Sequence, residues 1–246
     1  MLFPLLIEPI PSLTRAQMIE VDRAMIEDYH IDLIQMMENA GRSLAYLARV
    51  RFLEDNPRGK KVIILAGSGG NGGGALVCAR RLHTWGAQVQ VFLTRPSAEF
   101  TPIPSHQLDI LQRMAVPVLS ANELDRAIAA DLVVDGIIGY SLQGAPRGAA
   151  AALIRWANAQ PAPVLALDVP SGLDTTQGAA HDPTIQAVAT LTLALPKAGL
   201  LAQQAARYVG ELYLADIGVP PELYAGLSLQ LQVGPIFSVS EILRLR

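Results

Sequence analysis

A single cysteine, Cys78, occurs in 246 residues, so no disulfide can close within the chain. Histidines are as sparse: His30, His83, His106 and His181 lie far apart without the spacing of metal ligands, which argues against a structural zinc site. An excess of charge of one sign is missing too. With 19 basic and 22 acidic residues the formal net charge is -3, and the chain lacks the long-range positive field that gathers phosphate polymers. Nucleic acid and anionic membrane are thereby disfavoured as partners, and a small molecule is expected. The apolar opening MLFPLLIEPIP has no basic leader, and prolines cut it well short of the roughly 20 residues of a membrane span. A soluble, cytoplasmic protein is expected.

Apolar residues, by contrast, are plentiful. They make up 51% of the chain, enough at this length for one large core, and no repeat, low-complexity segment or linker interrupts it before Val219. One domain is expected over residues 1–246, with its core at about 12–219 and a tail at 220–246. Thr14 and Gln17 have capping-box spacing, and Met18, Val21 and Met25 follow at helical intervals. Ile34, Met37, Ala40, Leu44 and Leu47 mark a second, longer helix with one buried face. From Lys61 the pattern changes to short, nearly continuous apolar runs: KVIILA, QVQVFLT, VPVL, DLVVDGIIG, PVLALDVP, TLTLAL and GELYLADIG. Such runs suit strands buried on both faces. Helical stretches separate most of them, at Gly74–Trp85, Ser105–Met114, Ser120–Ala129 (with a Ser120/Glu123 capping box) and Ala149–Gln160. The alternation predicts an α/β fold, a mostly parallel sheet with helices on both faces, preceded by two helices.

Ligands of such sheets bind beyond the carboxyl ends of the strands, where four loops converge: 67–74, 139–148, 168–174 and 196–200. The first lies in LAGSGGNGGGALVCARRL, with six glycines between an apolar run and a helix. Glycine is entropically costly, so this density points to backbone amides approaching a ligand. Gly67, Gly69 and Gly72 have dinucleotide-fingerprint spacing, but FLTRP, at the end of the next strand, offers Arg95 and no ribose-binding carboxylate. A standard NAD dehydrogenase is disfavoured. A P-loop is excluded because no Gly-Lys-Ser or Gly-Lys-Thr closes the turn.

The second loop follows VVDG, which sets Asp135 inside an apolar strand, where a charge needs a cation, amide donors or a substrate hydroxyl; a helix cap or Arg147 is the plainer partner. In LALDVPSGLD, Ser171 is no nucleophile elbow, since Val169 stands where glycine is required, and Pro-Ser-Gly by itself reads as a turn. Lys197, in LPKAGL, reads as solvated rather than phosphate-bound, and Cys78 as helix packing.

Taken in order, these stretches resemble the NAD(P)H-hydrate epimerase family, the YjeF N-terminal domain. The likeness begins at LTRAQMIEVDRAMIEDYHIDLIQMMENAG, runs through the glycine loop, DGIIGYSLQG, LDVPSGLD and LPKAGL, and ends at ADIGVP. It implies a Rossmann-like, doubly wound fold and an isomerase that interconverts the R and S forms of hydrated NADH or NADPH. That substrate is a damaged cofactor with a hydroxyl on C6 of its nicotinamide ring. Position by position, the resemblance places Gly70, Asn71, Gly72, Gly73 and Gly74 around the hydrate, together with Gly139, Tyr140, Ser141, Leu142, Gln143, Gly144 and Ala145. Asp168 would contact it, either protonating the departing hydroxyl or orienting the incoming water. Asn71, Asp135 and Ser171 match the family's potassium ligands, a set of hard oxygen donors suited to that ion. Members commonly form homodimers, and many bacterial ones continue into a dehydratase domain. The family loop usually reads Asn-Asn-Gly-Gly-Asp-Gly, whereas residues 70–75 here read Gly-Asn-Gly-Gly-Gly-Ala. Gly74 thus stands where an aspartate would bond ribose or nicotinamide. The alternative is a nucleotide-binding or scaffold protein of the same fold with impaired catalysis.

Overall fold

The structure, a computed structural model, describes residues 3–124 and 129–246. Eight strands form one sheet: β1 (Lys61–Ala66), β2 (Gln88–Leu93), β3 (Val118–Ser120), β4 (Leu132–Gly136), β5 (Val164–Leu167), β6 (Ala189–Leu193), β7 (Glu211–Ala215) and β8 (Ile242–Arg244). Their order is β3-β2-β1-β4-β5-β6-β7-β8, parallel except for the β7/β8 pair. The apolar runs are buried because side chains alternate across the sheet. Val62 and Ile64 pack on one face with the helices α2 (Leu33–Phe52), α3 (Gly70–Thr84) and α4 (Pro102–Arg113). Ile63 and Leu65 pack on the other with α5 (Gly148–Asn158). Each such side chain removed from water contributes about 1.5–3 kcal/mol, and the two faces together hold the strand ends in place.

The chain order reverses between β1 and β4, which makes the crevice beyond their carboxyl ends the topological switch point. Over this crevice lies α1 (Arg15–Glu27), whose Thr14/Gln17 capping box forms as expected and whose Met18, Val21 and Met25 are buried. Met37, Ala40, Leu44 and Leu47 of α2 are buried as the spacing predicts, and Ile34 is half-buried.

Three expectations are revised. First, α3 begins at Gly70, four residues before the predicted Gly74, so four of the six glycines in the cluster are helix rather than loop. The reason is contact between helices: a Cβ on Gly41 of α2 would lie 2.4 Å from Val77 Cβ, and one on Gly73 of α3 would lie 2.4 Å from Met37 Sδ. Second, the tail re-enters the sheet as β8, where Arg244 N donates to Pro4 O at 2.8 Å and Leu6 N donates to Arg244 O at 2.9 Å. The apolar opening therefore lies along that edge, with the Phe3 ring edge-on to Tyr46 and Tyr213. Third, the helix expected at Ser120–Ala129 starts only as a 3-10 turn, Ala121–Glu123, with its capping box formed; Leu124 is already extended, and residues 125–128 lie outside those described. Among the described residues no helix is long and apolar enough to cross a membrane.

Candidate active site

β4 ends with Asp135 fully buried. Its partners are short-range donors: the Ser171 hydroxyl at 2.6 Å and Ile137 N at 3.1 Å on Oδ1, and Ser171 N at 2.8 Å on Oδ2. Burial nevertheless pushes its pKa up to about 6, because two amides and a hydroxyl do not replace the hydration of a full charge. Arg147 is exposed, and among the described residues no ion pair joins it to Asp135. The Ser171 oxygen also accepts from Ile138 N at 2.8 Å, so the turn of LDVPSG is bound to the turn after β4. Asn71 packs over the same turn: a Cβ on Gly136 would lie 3.3 Å from Asn71 O, and its buried side-chain Nδ2 has no partner. Asn71, Asp135 and Ser171 thus converge on the ends of β1, β4 and β5.

β5 ends one step further, at Asp168, which has a left-handed backbone (φ 64°), a conformation that aspartate tolerates better than most residues. Its amide donates to Leu191 O of β6 at 2.7 Å, and this turn aims the buried carboxylate along the strand ends. Oδ1 pairs with Lys197, whose Nζ also donates to Leu193 O at 2.9 Å. Lys197 is fully buried, which overturns its reading as a solvated lysine. The partner lies 29 positions away and meets it only because β5 and β6 are neighbours. Tyr140 links Asp168 to a second acid: its amide donates to Asp168 Oδ2 at 3.3 Å, and its hydroxyl donates to Asp22 of α1. Burial raises the Asp22 pKa, opposed by the Tyr140 hydrogen bond and the Lys197 charge and reinforced by the Asp168 charge.

Two hollows meet at Gly70, Asn71, Gly139 and Ser141. The first, about 300 Å³, presents Asp22, Tyr140 and Asp168 within an apolar wall that includes Met18, Leu33, Met36, Met37, Leu167 and Ile217. The second, about 770 Å³, is bordered by Gly67–Asn71, Thr94, Arg95, Leu142, Gln143, Ala145, Arg147 and the start of α5. Both volumes suit small-molecule sites. A Cβ on Gly139 would stand 3.2 Å from Asn71 Oδ1 and from Asp168 Oδ2, so glycine here lets both close over one spot. Of the residues expected around the hydrate, Gly70, Asn71, Gly74, Gly139, Tyr140, Ser141 and Asp168 line the first hollow. Leu142, Gln143 and Ala145 line the second. Gly72, Gly73 and Gly144 border neither; Gly72 faces Gly67 O, and Gly73 faces Met37. Asp22 is absent from the sequence reading, and Lys197 enters it only as a solvated lysine. Asp22 carried a signal, being the one acid in the stripe Met18, Val21, Asp22, Met25, whose other members are buried.

The region from α2 to Lys197 and its turn, residues 33–199, matches the family described as YjeF-related protein N-terminus. The chain belongs to this family. It is 40% identical over 227 residues to a protein named NAD(P)H-hydrate epimerase from Dehalogenimonas lykanthroporepellens, covering 91% of this chain and 88% of that one. A Rhodopirellula baltica protein of the same name is 34% identical, covering 89% of each. A bifunctional NAD(P)H-hydrate repair enzyme from Moorella thermoacetica is 38% identical, and there the likeness spans 41% of the longer chain. In three dimensions the chain resembles the yeast protein ynu0 (YNL200c) with a TM-score of 0.79 at 25% identity, covering 96% of this chain and all of that one.

At Gly74, where the resemblance drawn from the sequence would set an aspartate, a Cβ would lie 2.8 Å from Leu167 Cδ2. Restoring the acid is therefore expected to overpack the site. Gly74→Asp lowers stability by about 1–3 kcal/mol, and adding Leu167→Val, which removes the obstructing methyl, recovers most of the loss. Thermal unfolding of the two variants measures it; equal melting temperatures for both would show that Leu167 is not the obstacle.

Proposed function

We propose that the chain is an isomerase interconverting the R and S forms of hydrated NADH or NADPH. The observation that carries this is the placement of Asp168, which is paired with Lys197 behind it and borders a largely apolar hollow of nicotinamide size joined to a larger one that runs along the glycine-rich turn. The ring would enter the first hollow. The pyrophosphate would lie over the start of α3, where free N–H groups and the helix dipole favour anions, within reach of Arg95 and Arg147. C6 of the hydrate is a hemiaminal carbon, so the ring nitrogen lone pair can expel the hydroxyl and water can return on the other face. Asp168, held in an ion pair, suits the role of accepting a proton from the incoming water. Lys197 fixes the direction of that carboxylate, and the Tyr140 amide holds its second oxygen.

Asn71, Asp135 and Ser171 suit potassium in donor chemistry. They offer amide, carboxylate and hydroxyl oxygens, and among the described residues Asp135 is met by a hydroxyl and two amides rather than by a cation. Bound there, potassium would neutralise the Asp135 charge and tie together the three turns under the nucleotide. A homodimer fits the exposed apolar side chains Ile19 and Ile26 on α1.

The test is incubation of the purified protein with the R hydrate, in potassium and in choline buffers, with the epimers resolved by chromatography. Equilibration well above the spontaneous rate, faster in potassium and accompanied by a potassium-dependent rise in melting temperature, is the expected result. A rate equal to background in both buffers overturns the enzyme and favours a scaffold that has lost its chemistry along with the aspartate at Gly74.

A further inference from the structure

Epimerisation by loss and return of water needs two proton-handling groups: one to protonate the hydroxyl as it leaves, and one to deprotonate the water that arrives on the opposite face. The Asp168 carboxylate fills one role. The hollow contains a second carboxyl group from a different part of the fold. Asp22 reaches it from α1 while Asp168 reaches it from the end of β5, and Tyr140 stands between them, donating its amide to one and its hydroxyl to the other. The surroundings of the two acids differ in kind. Asp168 has an ammonium in direct contact, whereas the hydrogen bond that Asp22 accepts among the described residues comes from a phenol. The groups facing Asp22 are Tyr140 itself, Lys197 and Asp168 from the strand ends, and Tyr224 from the segment after β7, with Arg15 of its own helix acting on Tyr140. The neighbouring Arg23 is turned away to Glu20, Glu27 and Asp28.

Resting on the epimerase reading, we propose that Asp22 is the catalytic acid and that Tyr140 positions it. The Asp22 carboxyl gives its proton to the C6 hydroxyl; the C6–O bond breaks as the ring nitrogen lone pair forms the C=N bond, and water leaves. A second water adds to C6 from the Asp168 side, returning the electron pair to nitrogen, and its proton passes to Asp168. Exchange with solvent restores both acids, so no proton is gained or lost over a turnover. The raised pKa of Asp22 agrees with its role, since burial favours the protonated form that a general acid must hold.

The test begins with the wild-type pH–rate profile on the R hydrate. The rate should fall as pH rises through the range in which Asp22 loses its proton. Asp22→Asn is expected to lower kcat about 100- to 10,000-fold with little change in KM, and to abolish that alkaline limb. Tyr140→Phe removes a hydrogen bond that favours the ionised acid, so the limb should move to higher pH. A positioning role predicts this displacement, whereas a purely structural one does not. If Asp22→Asn fails to fold, the Tyr140→Phe displacement decides alone. A wild-type rate and profile in Asp22→Asn, or an unmoved limb in Tyr140→Phe, overturns the assignment while leaving the epimerase intact. A wild type no faster than the spontaneous reaction overturns both.

Discussion

Asp168→Asn should lower kcat for epimerisation about 100- to 10,000-fold, the range expected when a positioned acid–base group is removed. The same change should also destabilise the protein. Lys197 is fully buried and would lose its carboxylate, and an unpaired buried charge costs about 3–5 kcal/mol. In a chain of this size that is a fall of roughly 6–20 °C in melting temperature. Activity and stability can be separated with a second substitution. Asp168→Asn combined with Lys197→Met removes both charges and should regain most of the lost stability, since an apolar side chain replaces a buried pair at little net cost, yet it should recover none of the rate. Stopped assays beside calorimetry on the two variants check this. Turnover at the wild-type rate in folded Asp168→Asn would remove Asp168 from the chemistry.

Gly72→Ala should be the most destabilising of the single-methyl changes in the glycine cluster. Its Cβ would lie 1.8 Å from Gly67 O and 2.6 Å from Gly67 C, and backbone cannot rotate out of the way as a side chain can. Gly67→Ala meets a similar obstacle, 2.0 Å from Ile137 O. About 3 kcal/mol or more is expected for each, at the upper end of overpacking costs, with loss of nucleotide binding because the start of α3 is displaced. Gly69→Ala provides the contrast: nothing lies within 4 Å of its Cβ and its φ is -104°, so its stability should change by no more than about 0.5 kcal/mol. Denaturant titration of the three variants tests the ordering. Equal stability for Gly72→Ala and Gly69→Ala would mean that the turn is not closed backbone against backbone.

The glycine cluster illustrates how one pattern serves two ends. Its density pointed to a ligand, and Gly70 and Gly74 do border the hollows. Gly73, together with Gly41, instead removes Cβ atoms from the α2–α3 contact, a demand made by a helix that no local reading of residues 67–74 contains. Lys197 shows the same limit. The stretch LPKAGL holds no acid, so nothing near it in sequence distinguishes a buried ammonium from a solvated one.

The sequence by itself determined the layered α/β architecture, the two leading helices and the requirement that Asp135 find partners, because hydrophobic periodicity and the cost of burying a charge act over a few neighbouring residues. Tertiary structure alone decided that Asp168 pairs with Lys197, that Asp22 and Asp168 border one hollow, and that the last strand closes the sheet against β7. Those contacts join residues from 29 to well over 100 positions apart, and they exist only once strand order has been set by packing the whole core.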